Sequence, residues 1–261
     1  MTVGDGTPTL PRGTGGAAMR LNGGVGGRYD LDARLDFLLN HWEDDFHGDA
    51  ILGEYPAAKT NGTSAAVTFT AGNAQNFLDF ITGTDNDGYA GQAMTDPAYT
   101  GDVGLLTEFL FQTPSSLANY KLEFGVTDAT DDAGAVNSKT TPTVTASNCA
   151  VLVYDTAHSD SLDLIHVKAA GTATRVTNTG LTLAVSTLYY ATFRVDGDNV
   201  RAEIRGLSGT PNANMSYANV VGGAGIEGGN KLTPWFFTQA RAGTATKTTR
   251  LYKWGRLTPA Y

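Results

Sequence analysis

Tyr189 to Leu207 reads YYATFRVDGDNVRAEIRGL, and its alternation decides the fold class. Phe193 and Val195 bracket Arg194; after Asp196-Gly197-Asp198-Asn199, Val200, Ala202 and Ile204 alternate with Arg201, Glu203 and Arg205. Successive side chains on a strand point to opposite faces, so each run carries one apolar face and one wet face. An Asp-Gly turn between two such runs predicts an antiparallel hairpin that lies on a core by one side.

Outward from the hairpin the pattern repeats. SAAVTFTA (Ser64 to Ala71), NFLDFITG (Asn76 to Gly83), GLLTEFLFQ (Gly104 to Gln112), YKLEFGVTD (Tyr120 to Asp128), AVLVYDT (Ala150 to Thr156) and LDLIHVK (Leu162 to Lys168) are short runs rich in aromatic and β-branched residues. Turn clusters such as TDNDG and TDDAG separate them, and LTPWFFTQAR and TRLYKWGRL flank a GTATK turn near the end. About a dozen strands without helical periodicity after residue 48 predict an all-β, two-sheet antiparallel jelly-roll sandwich from 48 to 261.

Residues 1–28 are different: Gly, Thr and Pro dominate and apolar side chains are scarce. Such a segment buries too little surface to offset its ordering entropy alone, so it reads as an extended N-terminal arm that orders against a neighbour. In 29–47, Leu31, Leu35, Leu38, Leu39 and Trp42 fall at helical spacing with Asp30 as N-cap and Asp32 in the first turn. This predicts a short helix over about 30 to 41 and a connector. Leu31, Leu35, Leu38 and Trp42 are the candidate assembly contacts.

The 18 Lys and Arg against 26 Asp and Glu give a net charge of −8, which repels phosphate backbones and argues against nucleic acid as a partner. No segment approaches the roughly 18 consecutive apolar residues of a membrane span, and the start of the chain has no signal-peptide core. The expectation is a soluble protein made inside a cell, with the Asn61 and Asn214 sequons unused. Cys149 stands alone, so neither an intrachain disulfide nor a cysteine metal site can form; it reads as a small buried strand residue.

Several of these stretches together carry a resemblance. DDFHGD (Asp44 to Asp49), GLLTEFLFQ, the hairpin YYATFRVDGDNVRAEI and the closing LTPWFF and RLYKWGRL pair resemble the concanavalin A-like (laminin-G-like) jelly rolls. They are most similar to a group of such sandwiches in structural proteins of tailed-bacteriophage virions, over roughly Trp42 to Leu257. The resemblance implies a non-enzymatic virion protein, made in the host cytoplasm, that decorates the capsid or forms a head fibre or tail appendage. Its partners would be major capsid or tail subunits and further copies of itself, with no cofactor.

Two rival functions are open. A carbohydrate-binding adhesin would need exposed rings; Tyr89, Tyr99, Tyr217 and Trp235 lie in or beside expected loops, where a host surface glycan could stack. A glycan hydrolase similar to the retaining glucanases of the fold would need an E-x-D-x-x-E strand, and none of Glu108, Glu123 and Glu203 heads that spacing.

A Ser-His-Asp triad cannot be read from spacing; the chain has no G-x-S-x-G elbow, and its histidines are His41, His47, His158 and His166. In AVLVYDTAHSDSLDLIH, Asp155, His158, Asp160, Asp163 and His166 resemble part of a lectin metal strand, but Val153 replaces the leading glutamate, and a polar loop between strands is expected. TDNDGYAG (Thr84 to Gly91) reads as a turn, since Met94 falls where a calcium loop needs its bidentate Glu. HWEDDFHGD (His41 to Asp49) reads as a hinge whose Trp42 and Phe46 anchor in the core and whose charges form a rim; as a strand it would align Glu43, Asp45 and His47.

Overall fold

The computed structural model describes residues 39–46, 55–72, 75–130, 134–177, 182–207, 216–220 and 225–259. In chain order the strands are β1 (Leu39–Asp44), β2 (Lys59–Asn61), β3 (Ala66–Thr70), β4 (Phe77–Ile81), β5 (Tyr89–Ala93) and β6 (Leu105–Gln112). Next come β7 (Tyr120–Thr127), β8 (Val136–Ser138), β9 (Thr143–Val144), β10 (Cys149–Asp155), β11 (Ser159–Val167) and β12 (Thr174–Val176). The last are β13 (Leu188–Asp196), β14 (Asn199–Gly206), β15 (Ser216–Val220), β16 (Thr233–Ala240) and β17 (Thr248–Pro259). One 3-10 turn, Gly101–Val103, is the sole helical element among the described residues.

The strands form two large antiparallel sheets. One has eight strands, ordered β15-β14-β13-β6-β17-β4-β3 with β1 also on β17; the other has seven, ordered β12-β11-β10-β7-β16-β5-β2. β8 and β9 make a separate small hairpin. Hairpin pairs such as β13-β14, β3-β4 and β10-β11 alternate with pairings between distant parts of the chain, such as β6-β17 and β7-β16, as in the two-layer sandwich that the alternating pattern predicts.

The diagnostic hairpin forms as its sequence dictates. β13 and β14 pair with Val195 opposite Val200 and Asp196 opposite Asn199, and Gly197 supplies the positive φ of 59° in the turn. Phe193, Val195, Val200, Ala202 and Ile204 are buried, whereas Arg194, Arg201 and Arg205 face solvent.

The inner faces meet in an aromatic core. Phe109 and Phe111 on β6, Phe193 on β13 and Phe80 on β4 interlock with Phe124 and Phe236 from the other sheet. Phe80 lies 4.8 Å from Phe236, Phe111 lies 4.9 Å from Phe124, and the rings of Phe124 and Phe193 stand at 90°. Each tilted or edge pair adds about 0.5–1.5 kcal/mol to the area it removes from water, so this cluster fixes one sheet on the other.

The entry to the sandwich departs from the helical expectation. Leu39 to Asp44, whose first three residues fall in the predicted helix, form β1 and pair antiparallel with β17, from Leu39 opposite Pro259 to Asp44 opposite Trp254. Ladder bonds to a distant strand override a locally helical spacing. The arm (1–28) and the remaining helix, including Leu31, Leu35 and Leu38, lie outside the described residues, as does the Trp42 side chain. Phe46 does anchor in the core, 3% exposed, with φ of 57°.

Tyr89 to Gly91 is a second difference. Asp85 to Gly88 turn, as expected, but Tyr89 starts β5. Gly91 explains why a segment of low β-propensity serves there: a Cβ would sit 2.7 Å from the Phe237 ring and 2.9 Å from that of Trp235, which lie across it.

Candidate functional site

Strand register lays out the outer face of the seven-stranded sheet in rows. Asp155, Lys121, Gln239, Tyr89 and Asn61 follow one another across β10, β7, β16, β5 and β2. The next row is Asp163, Val153, Glu123, Phe237, Gly91 and Lys59. Ionisable groups thus occupy the face that β-alternation turns away from the aromatic core.

Part of this face is roofed. Ala135, Val136 and Ala146, around the β8-β9 hairpin, pack on Cys149, Val151 and Val153 of β10 and Ile165 and Val167 of β11. The roof satisfies the charges beneath it, as burial requires. Glu123 is fully buried; it accepts from the amides of Ala135 (2.5 Å) and Val136 (3.2 Å), the Trp235 indole (2.8 Å) and the Lys121 ammonium (3.1 Å). Lys121 also donates to the Val136 carbonyl. Gly134, at φ of 81°, brings the chain within 3.0 Å of Glu123 measured from where a Cβ would stand.

A second buried cation pins the hairpin tip. Lys139 donates to the carbonyls of Ser159 (2.8 Å) and Ser161 (2.5 Å) and lies 3.4 Å from Asp163, which Arg175 also holds at 2.9 Å. Burial pushes the ammonium groups of Lys121 and Lys139 below the ordinary lysine range, with Glu123 and Asp163 respectively pulling them back.

At the rim the structure brings Ser138 to Asp155 and His158, which lie three residues apart in sequence. The Asp155 carboxylate, 1% exposed, lies 3.0 Å from His158 Nδ1, and His158 Nε2 lies 3.2 Å from Ser138 Oγ. Arg241 binds both oxygens of Asp155, with Nε 3.0 Å from Oδ1, and the Ala157 amide adds a bond of 3.1 Å. Burial raises the Asp155 carboxyl, but Arg241, His158 and Ala157 outweigh it and hold the group below the usual carboxylate range.

The sequence candidates fare unevenly. Of the aromatic residues proposed for sugar stacking, Tyr89 (7%), Tyr99 (8%) and Trp235 (0%) are buried, which corrects their expected exposure; the Tyr217 side chain lies outside the described residues. Trp235 stands on β16, stacks on Phe237 at 5.9 Å and donates to Glu123, while the Arg256 guanidinium covers the Tyr99 ring at 4.8 Å. Tyr89 lies 5.5 Å from Phe237.

The strand acids also separate. Glu123 belongs to one sheet, whereas Glu108 (bonded to Tyr190 and Lys253) and Glu203 (paired with Arg201) belong to the other. Asp155 and Asp163 are engaged by cations, and His166 alternates onto the opposite face from Asp163. Among the described residues no cluster of three or more metal-ligating side chains forms. In HWEDDFHGD, Asp44 caps the Phe46 amide at 2.7 Å and accepts from Tyr55, which accepts from Trp254 at 2.8 Å; the Glu43 side chain and His47 lie outside the described residues.

Ser138, Lys139 and Arg241 escaped sequence reading. Lys121 and Glu123 did leave a signal: two opposite charges at i, i+2 on a strand whose other face is Leu122 and Phe124. Arg241 is 86 residues from Asp155 and left none.

No family model matches the chain and no curated protein matches it. Among solved structures it is similar to a Shewanella oneidensis MR-1 protein of unknown function, at 15% identity and TM-score 0.57 over 85% of this chain and 87% of that one. It is also similar to peanut lectin (9% identity, TM-score 0.56, 85% of this chain and 99% of that one). A third is a Bacteroides ovatus mixed-linkage glucan GH16 protein (9% identity, TM-score 0.52, 83% and 99%). The fold is the concanavalin A-like jelly roll.

Proposed function

We propose that the chain is a structural component of a tailed-bacteriophage virion, a capsid decoration or head-fibre protein attached through the segment that precedes Leu39. The observation that carries this reading is the pairing of Leu39 with Pro259. Leu39, the first residue of β1, and Pro259, the last of β17, thus stand opposite each other at one corner of the sandwich. The composition of 1–28 suits a segment that gains order only against a partner.

The seven-stranded face supports the same reading. A glucanase nucleophile needs a carboxylate free to reach the sugar, whereas Glu123 has two donors on each oxygen and is buried under the hairpin. A glycan adhesin needs rings open to solvent, and Tyr89, Tyr99 and Trp235 are enclosed. In this account the sandwich is a stable displayed body and carries out no glycosidic chemistry.

Electron microscopy of purified phage particles, at a resolution that traces the chain, tests the proposal. Copies seated on capsid or tail subunits through the Leu39 corner are expected. Particles that lack the protein, or that hold it by the opposite end, would contradict it, and glycan-array binding by the folded protein would favour the adhesin.

A further inference from the structure

We infer that Ser138, His158 and Asp155 form a hydrolytic site for carboxylic esters. This activity lies beyond the assembly role and stands or falls independently of it.

The geometry assigns the parts. Asp155 Oδ2 accepts from His158 Nδ1–H at 3.0 Å, which leaves Nε2 as an acceptor directed at the Ser138 hydroxyl 3.2 Å away. Arg241 and the Ala157 amide lock the carboxylate that orients the ring. Lys139, next to the nucleophile, is anchored on Ser159, Ser161 and Asp163, so the backbone that carries Ser138 is fixed.

Exposure separates this relay from the buried pairs beside it. Lys121, Glu123, Lys139 and Asp163 are at most 1% exposed, whereas the His158 side chain is 25% exposed and Ser138 is half-buried. The relay thus runs from a partly exposed end, His158 and Ser138, to the buried Asp155 carboxylate. Nor does the hairpin depend on the relay, because Glu123, Lys121 and Lys139 already hold it.

In the first step Ser138 Oγ bonds to the ester carbonyl carbon while its proton passes to His158 Nε2. The tetrahedral adduct collapses, the C–O bond to the alcohol breaks, and the leaving alkoxide takes that proton. Water then attacks the acyl-Ser138 ester by the same route, releasing the acid and restoring the hydroxyl. Asp155 acts through His158 and is a positioning residue.

The test uses the full chain with p-nitrophenyl acetate as substrate and a fluorophosphonate as covalent label. Wild type should hydrolyse the ester and carry the label on the Ser138 peptide. Ser138→Ala should lose the label, and it and His158→Gln should each lower the rate at least about 100-fold, with thermal transitions showing both folded. Asp155→Asn should reduce kcat with KM unchanged. Absence of label at Ser138, or a folded Ser138→Ala variant with the wild-type rate, would overturn the inference.

Discussion

Lys121 Nζ lies 3.1 Å from Glu123 Oε2, and both side chains are sealed between β7 and the hairpin above it. A buried pair of this kind adds little over an apolar substitute, but losing one partner strands the other charge at a cost of about 3–5 kcal/mol. Glu123 also terminates the Ala135 and Val136 amides and the Trp235 indole.

Glu123→Ala should therefore destabilise the protein by about 3–5 kcal/mol, measured from urea unfolding at neutral pH. A change below about 1 kcal/mol, the scale of an exposed pair, would show that the hairpin does not bury Lys121 as described.

Asp155 makes stability depend on acid. Its folded carboxyl titrates below the usual value, so the stabilisation it gives is complete above about pH 4 and fades as pH falls through the lower folded value. The deficit of Asp155→Asn relative to wild type, from urea unfolding at neutral pH and at a series of acidic values, should shrink on acidification. A deficit that stays constant or grows would contradict the Arg241 and His158 contacts.

Gly91 is the place where β5 makes room for the rings of β16. Gly91→Ala should cost about 1–3 kcal/mol, the usual penalty of overpacking, because its Cβ meets Phe237 and Trp235 below 3.0 Å. Differential scanning calorimetry should show a lower midpoint; an unchanged one would mean that the rings lie elsewhere.

The local patterns were legible and the remote ones were not. YYATFRVDGDNVRAEIRGL reveals its hairpin because period-two alternation and an Asp-Gly turn are contained in one stretch. Leu39 to Trp42 continued a helical spacing, yet hydrogen bonding to β17, at the other end of the chain, makes them strand. YAGQA carries little β-propensity and depends on two rings from β16. The sequence sets Trp235 beside an expected loop, but its place on β16 next to Glu123 buries it. The Ser138, His158 and Asp155 set needs the hairpin folded back over β10, which no spacing announces.

Removal of residues 1–28 tests attachment through the segment before β1. The expected change in stability is no more than about 0.5 kcal/mol, the scale of changes away from the packed body, which in a protein of this size moves the midpoint by about 2 °C at most. The truncated protein should thus melt within about 2 °C of the full chain and yet be missing from assembled particles when expressed during infection. Truncated protein present in particles at the full-length copy number would contradict the account.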